Sequence, residues 1–342
     1  MKILTINEHG EIFTANAPKP IESLEICQTI LQNTKLTELY RLETHFESEN
    51  YLIEAFDHPL IALKLIESDG KIFIETQYQL TFEADINKFS LDPFDRICGM
   101  TTHGCPFRLT EKAQDQLFDA CNEFDDESFT LHNLKIETPD YYIDQSAVGD
   151  SDFWNEIYKN NPKPNWDIGQ PAPAFQDMLP RLKLPKSRIL VLGSGEGHDA
   201  AFFAHAGHVV TAVDFSPEAI RKAKLNYGDL ENLNFVQADV FNLPHDWNAT
   251  FDVIIEHTCF CAIEPHKRKE LVKTWRRLLH EEGQLMGLFF SMLKRPGPPY
   301  GSSEWEIREL LQPHFQFLFW GRWNKSVEKR QGLELFVLGK KR

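Results

Sequence analysis

The sequence predicts two parts: a smaller α+β domain over residues 1–145, then a doubly wound α/β domain over residues 146–342. Three observations predict this. From Pro185 onward, short apolar runs of strand length alternate with amphipathic helical stretches, the pattern of a mostly parallel sheet covered on both faces. Within that pattern, "VLGSGEGHD" sets three glycines between a strand and a helix. The charge also steps: residues 1–145 carry 11 Lys+Arg against 27 Asp+Glu, and residues 146–342 carry 25 against 24.

In the first part, "IESLEICQTILQN" (21–33) and "TEKAQDQLFDACNEF" (110–124) have helical spacing, and "YLIEAF", "LIALKLI" and "KIFIETQYQL" read as consecutive strands. "SDFWNEIYKNN" (151–161) is expected as a short helix with Ser151 or Asp152 as its N-cap. "NPKPNWDIGQPAPAF" (161–175) is the clearest punctuation, because its four prolines and its glycine suit neither a helix interior nor a central strand.

The α/β part then proceeds in order. "RILVLG" is a buried strand, and "GHDAAFFAHAG" a helix closed by Gly207. "HVVTAVD" is the second strand, and "SPEAIRKAKLNYG" a helix with Ser216 at the N-cap and Pro217 at its first position. "LNFVQAD" and "FDVIIE" are further strands, "EPHKRKELVKTWRRLLHEEG" a long amphipathic helix and "GQLMGLFF" a fifth strand. After the helix "SSEWEIRELL", the strands "FQFLFWGRW" and "GLELFVLGKK" are joined by a short link that suits a hairpin, giving seven strands with an antiparallel edge.

Composition excludes several classes. The chain is 42% apolar and 25% charged, which is ordinary globular usage, and 342 residues suffice for a core without disulfides. Its apolar runs are strand-sized, so no membrane partner is expected, and "MKILTINEHGEIF" lacks the apolar stretch of a signal peptide. Six scattered cysteines then suggest reduced thiols and a cytoplasmic location. The net charge of −15, concentrated in the first part, repels phosphate backbones, so no nucleic-acid partner is expected. The expected partner is a small-molecule methyl acceptor; the sequence leaves the oligomeric state open, with a monomer slightly favoured.

The chemistry lies at strand ends. Gly193, Gly195 and Gly197 permit a tight turn and close approach of backbone to a ligand. Asp214 ends the second strand about twenty residues after the first glycine, where a carboxylate accepts from ribose hydroxyls. Asp239 ends the third, where it can accept from an adenine amino group. With no Lys-Ser/Thr after the glycines and no basic residue for a 2′-phosphate, the pattern fits a nucleoside better than ATP or NADP.

This arrangement resembles class I S-adenosylmethionine (SAM)-dependent methyltransferases, which implies SAM as cofactor and a Rossmann-like, mostly parallel seven-stranded sheet. "NWDIGQPAP", "PKSRILVLGSGEGHD", "GHVVTAVDFSPEAIRKA", "FDVIIEHTCFCAIEPHKR" and "KRPGPPYGSSEWEIRELL" occur in this order. Together they resemble the thiopurine S-methyltransferase superfamily, especially its thiol/halide methyltransferase branch, over about residues 150–342. The resemblance implies an entrance tryptophan at Trp166, a cofactor loop at Gly193, Ser194 and Gly195, ribose readout at Asp214 with Phe215 beside it, adenine contacts at Asp239 and Val240, and Glu256 near the methionine part of SAM. It implies a lid segment around Pro298, Pro299 and Tyr300, and substrate contacts at His257, Phe260, Pro299 and Tyr300. His257 stands where plant relatives have tyrosine and thiopurine enzymes arginine, at a position that faces substrate. Residues 1–145 resemble, through "INEHGEIF" and "YLIEAFDHPLIAL", an uncharacterised domain family of animal mitochondrial proteins.

The string Glu256-His257-Thr258-Cys259-Phe260-Cys261 is read as a pocket floor. His257, Cys259 and Cys261 have nominal zinc-ligand types but no second cluster to complete a site, and Cys98, His103 and Cys105 read as a loop with buried thiols; no metal is expected. The expected reaction is methyl transfer to a small soft nucleophile: a thiol, a halide, or a selenium or tellurium species. A neutral thiol needs deprotonation, and His257 is either the base for it or only pocket wall. The alternatives are an oxygen or nitrogen acceptor, or a non-catalytic SAM-binding regulatory protein.

Overall fold

The computed structural model describes residues 2–15, 17–125, 127–143 and 146–342. The chain divides into two compact units: Met1–Ile143 with Met292–Arg295 and Ser303–Glu306, and Asp144–Ser291 with Pro296–Ser302 and Ile307–Arg342. The expected division at 145/146 treated the second part as continuous; two short segments of it group instead with the first unit.

The first unit is α+β. A five-stranded sheet runs, in spatial order, Ile12–Thr14, Lys2–Ile6, Glu49–Ala55, Leu42–Phe46 and Lys35–Leu36. A six-stranded sheet contains Leu60–Ser68 and Lys71–Thr76 as antiparallel neighbours, and a third sheet has three short strands over 123–137. Helices Leu24–Gln32 and Glu111–Ala120 are capped by the Ser23 and Thr110 hydroxyls. One apolar cluster, including Ile30, Ile53, Leu60, Ile74 and Phe107, forms the core. Arg96 bridges Asp57 and Asp92, each at 2.7 Å, so these buried charges are paired.

The second unit opens with helix α1 (Ser151–Asn160). Its N-cap is Asp150, whose carboxylate accepts from the Asp152 N–H, rather than the expected Ser151 or Asp152. Helix α2 (Pro173–Leu182), unforeseen in the sequence, starts with proline at its first turn, where the missing N–H costs nothing. The sheet follows: β1 (Arg188–Leu192), α3 (His198–His205), β2 (Val209–Asp214), α4 (Pro217–Tyr227), β3 (Leu233–Gln237), β4 (Phe251–His257), α5 (Arg268–Leu278), β5 (Leu279–Phe290), α6 (Glu304–Leu311), β6 (Phe315–Arg322) and β7 (Glu334–Lys341). The spatial order is β3-β2-β1-β4-β5-β7-β6. The contacts β1–β2, β1–β4, β2–β3 and β4–β5 are parallel, whereas β7 inserts antiparallel between β5 and β6. α5 is shorter than the pattern suggested, because the chain turns extended at Leu279, which already pairs with Phe251.

β1, β2 and β4 are buried on both faces, as their near-continuous Val/Ile/Leu content requires. Among the described residues no helix is long and apolar enough to cross a membrane.

Candidate active site

The register aligns the carboxyl ends of the central strands. Leu192 lies beside Val213 on one side and Glu256 on the other, and Asp214 beside Gln237. The glycine turn after β1 is fastened to β2: Ser194 N–H donates to the Val213 carbonyl, and Gly195 N–H to Asp214 Oδ2 at 2.8 Å. Asp214 Oδ1 accepts from Ser216 N–H at 2.9 Å. Burial raises this carboxyl above its ordinary value, opposed by the N–H groups of Ser216, Gly195 and Phe215. Each oxygen keeps a further lone pair, so Asp214 can shape the loop and still accept from a ligand.

Gly193 and Gly195 are needed here for two reasons. Both have positive φ, 62° and 54°. A Cβ on Gly193 would lie 2.8 Å from the Cys259 Cβ, and one on Gly195 3.0 Å from the Tyr158 Oη. Tyr158 of α1 also accepts from the Trp166 indole N–H at 3.0 Å, which sets that tryptophan beside the loop. Asp239 lies two residues beyond β3 rather than in it, and its oxygens accept from Phe241 N–H and the Asn242 amide. Val240 is buried next to it.

At the end of β4, successive side chains leave on opposite faces of the sheet. Glu256 is fully buried. Its Oε1 accepts from Phe260 N–H at 2.7 Å, and its Oε2 is buried with no partner. Burial pushes this carboxyl up to about 8, against the N–H groups of Phe260 and Cys259 and the charge of Arg268. His257 turns instead toward α2 and α3, edge-on to Phe175. Its Nδ1 lies 2.6 Å from Asp199 Oδ2, and its Nε2 2.8 Å from Arg330 Nη1. In this arrangement neither nitrogen keeps a free lone pair, so of the two roles left open for His257 the geometry favours the wall over the base.

The backbone turns left-handed at Thr258, with φ of 64°, a conformation costly for a β-branched residue and typical of functional strand exits. Beyond it, Phe260 is taken up by packing rather than forming the expected substrate wall: its ring meets Phe289, Trp275 and the Arg268 guanidinium. Burial keeps the Cys259 and Cys261 thiols protonated, raising Cys261 to about 12. Among the described residues, neither cysteine–histidine string forms a set of converging ligands, and Asp167, Glu196 and His198 form the only such group. These three are already engaged, His198 with Tyr227 and Asp167, and Glu196 with Lys222. Tyr300 is fully buried, while Pro299 is half-buried. The carbonyls of Tyr300 and Gly301 accept from Arg268, and Tyr300 N–H donates to Cys261 O.

Four participants escaped the sequence reading: Tyr158, Asp199, Arg330 and Glu334. Asp199 alone carried a signal, two residues after the last glycine in "GEGHD".

A family profile described as thiopurine S-methyltransferase matches residues 149–335. The chain belongs to this family. Among its relatives, thiocyanate methyltransferase 1 of Arabidopsis thaliana is 34% identical over 166 residues, covering 47% of this chain and 71% of the relative. A probable thiol methyltransferase 2 of the same plant is 31% identical over the same length and coverage. A solved N1-methyltransferase of 1,6-didemethyltoxoflavin from Burkholderia thailandensis, with bound S-adenosylhomocysteine, aligns at a TM-score of 0.46 and 23% identity, over 65% of this chain and 98% of that one.

As a member of the thiopurine S-methyltransferase family, the protein is a SAM-dependent methyltransferase. Its residues suit that cofactor. The glycine turn has no room for side chains where backbone must approach a ligand. The buried Ser194 Oγ and Glu256 Oε2 are polar atoms without partners, available to a polar, cationic ligand.

Proposed function

We propose that this methyltransferase acts on a small, soft nucleophile that arrives already ionised: thiocyanate, a halide, a thiolate, or a selenium or tellurium anion. The observation that carries this reading is the double engagement of His257 by Asp199 and Arg330. Glu256, the other titratable group of β4's end, lies on the opposite face with its carboxyl raised to about 8. A hydroxyl, amine or neutral thiol must lose a proton to react, whereas an anion must not. The names of the plant relatives, thiocyanate and thiol methyltransferases, support a sulfur acceptor.

In this reading Gly193, Ser194 and Gly195 cradle the cofactor, Asp214 with Phe215 takes the ribose, and Asp239 with Val240 the adenine. Glu256 faces the ammonium of the methionine part, and Trp166 stands at the entrance. When bound, the cofactor supplies a methyl group activated by its sulfonium. An acceptor that is already ionised would need only to be held in line with that methyl group, with no proton to be removed by a residue of the chain. No further covalent work falls to the protein, whose part is alignment and exclusion of water. Tyr300 and Pro299 belong to the segment that covers the acceptor.

The test is a turnover screen over thiocyanate, iodide, hydrosulfide, selenium and tellurium anions, neutral thiols of graded pKa, catechols and amines. Anionic acceptors should dominate, and thiol rates should follow the solution thiolate fraction with pH. Efficient turnover of an amine or catechol, or a thiol rate independent of thiolate fraction, would overturn the reading.

A further inference from the structure

We propose that Asp199 is a positioning residue: it locks His257 in the Nδ1–H tautomer, so that Nε2 accepts from Arg330 and fixes the guanidinium against the Trp166 backbone. The link to methyl transfer rests on the reading of β4's end given above.

Two independent partners require the same proton placement. A guanidinium has only donors, so His257 Nε2, 2.8 Å from Arg330 Nη1, must be the acceptor. A carboxylate only accepts, so the ring proton sits on Nδ1, 2.6 Å from Asp199 Oδ2. An imidazolium would set a proton against Arg330. The neutral, Nδ1-protonated ring alone satisfies both neighbours.

Arg330 is itself buried and held on several sides. Its Nη2 donates to the Trp166 carbonyl at 2.5 Å, its Nη1 also reaches Glu334 Oε1 at 3.2 Å, and its guanidinium lies over the Phe290 ring. Glu334 balances the charge and also accepts from the Ser326 hydroxyl.

The other oxygen of Asp199 closes the circuit. Oδ1 accepts from Ala172 N–H at 2.7 Å. The chain between Trp166 and Ala172 is therefore tied at one end by Asp199 directly, and at the other through His257 and Arg330. The preceding residue, His198, adds a third tie to Asp167 at 3.4 Å. Trp166 is thus placed by a side chain that does not touch it.

Asp199→Asn isolates this role. The amide oxygen can still accept from Ala172 N–H, but the amide NH2 then faces Nδ1. With the amide in that orientation the ring proton moves to Nε2, where it meets the Arg330 donor; the opposite orientation sets NH2 against Ala172 N–H and breaks that tie instead. Nitrogen-15 NMR of the histidines should show His257 as the neutral Nδ1–H form in the natural protein at pH 7, and as Nε2–H in the variant. The dissociation constant for S-adenosylhomocysteine, read by calorimetry, should rise about 10- to 100-fold, the scale of one lost charge-assisted hydrogen bond. Turnover at saturating cofactor should change less than the KM for cofactor. A natural protein whose His257 is imidazolium or Nε2–H at pH 7 overturns the proposal, without need of a folded variant. So does a variant with the tautomer moved and affinity unchanged. The tautomer and the S-adenosylhomocysteine dissociation constant are both read without an acceptor, so an error in the acceptor class leaves those two intact.

Discussion

Cofactor binding should be coupled to the ionisation of Glu256. Burial holds this carboxyl at about 8 in the free protein, from an ordinary 4.5. Below pH 8 it is therefore mostly protonated, and a cationic ammonium placed against it favours the carboxylate. Binding then releases a proton. Ionising the group costs about 1.4 kcal/mol for each pH unit below 8, or about 2.7 kcal/mol at pH 6. The dissociation constant for the cofactor should fall about tenfold per pH unit between pH 6 and 7.5, and flatten near 8. Calorimetry at pH 6 in two buffers of different ionisation enthalpy should count about one proton released per cofactor bound. Glu256→Gln should abolish both the slope and the release. The same shift has an opposite sign for the free protein: a raised carboxyl favours folding below pH 4.5, and the advantage is lost as pH rises through 8. The glutamine variant should therefore be more stable than the natural protein at pH 8.5 without cofactor, by on the order of 2–5 kcal/mol, while binding cofactor more weakly. A dissociation constant flat from pH 6 to 7.5 with no proton release would refute the placement of Glu256 against the ammonium.

Gly193→Ala should cost about 1–3 kcal/mol of stability from left-handed backbone, with a Cβ clash at Cys259 besides, and should abolish cofactor binding in calorimetry. His257→Ala should lower transfer to thiols and to thiocyanate or halide by similar factors, with a thiol pH dependence unchanged from the natural protein; a loss confined to thiols and recovered at high pH would restore the base role. Arg268→Met should lower the melting temperature and raise KM for the acceptor, because the carbonyls of Tyr300 and Gly301 lose a charged donor worth about 1.5–3 kcal/mol per bond. An unchanged acceptor KM with a lowered melting temperature would limit Arg268 to a structural role.

Legibility in the sequence followed range. The glycine turn, Asp214 and Glu256 stood out because each sits at the end of a strand that its own neighbours define. Ser216 and Pro217 marked the start of α4 by local rules alone, and the side chain of Ser216 does cap it. The prolines of segment 161–175 signal a break, yet α2 begins at Pro173, since a proline at the first turn marks a helix start as readily as a break. Arg330 could not be found locally: "VEKRQG" reads as a solvated turn, and only the return of the chain over 73 positions brings it to His257. Phe260 shows the converse error. A phenylalanine beside site residues suggested pocket wall, but its direction was fixed by Trp275 and Phe289, which the local pattern does not reveal.

The insertion of β7 between β5 and β6 has a consequence for the order of assembly. β5 and β6 are joined only through β7, so β6 has no place in the sheet until β7 has formed. Arg330 lies four residues before β7, and its partner Glu334 is β7's first residue. The pairing of His257 with Arg330 spans 73 positions, more than any strand pairing in this sheet, so it closes the longest and costliest loop of the set. A sheet holding only β1 to β5 would carry the glycine turn and the carboxylates, but Trp166 would lack its tie to Arg330. Capacity to retain cofactor should therefore emerge in refolding as a distinct, later phase than strand formation.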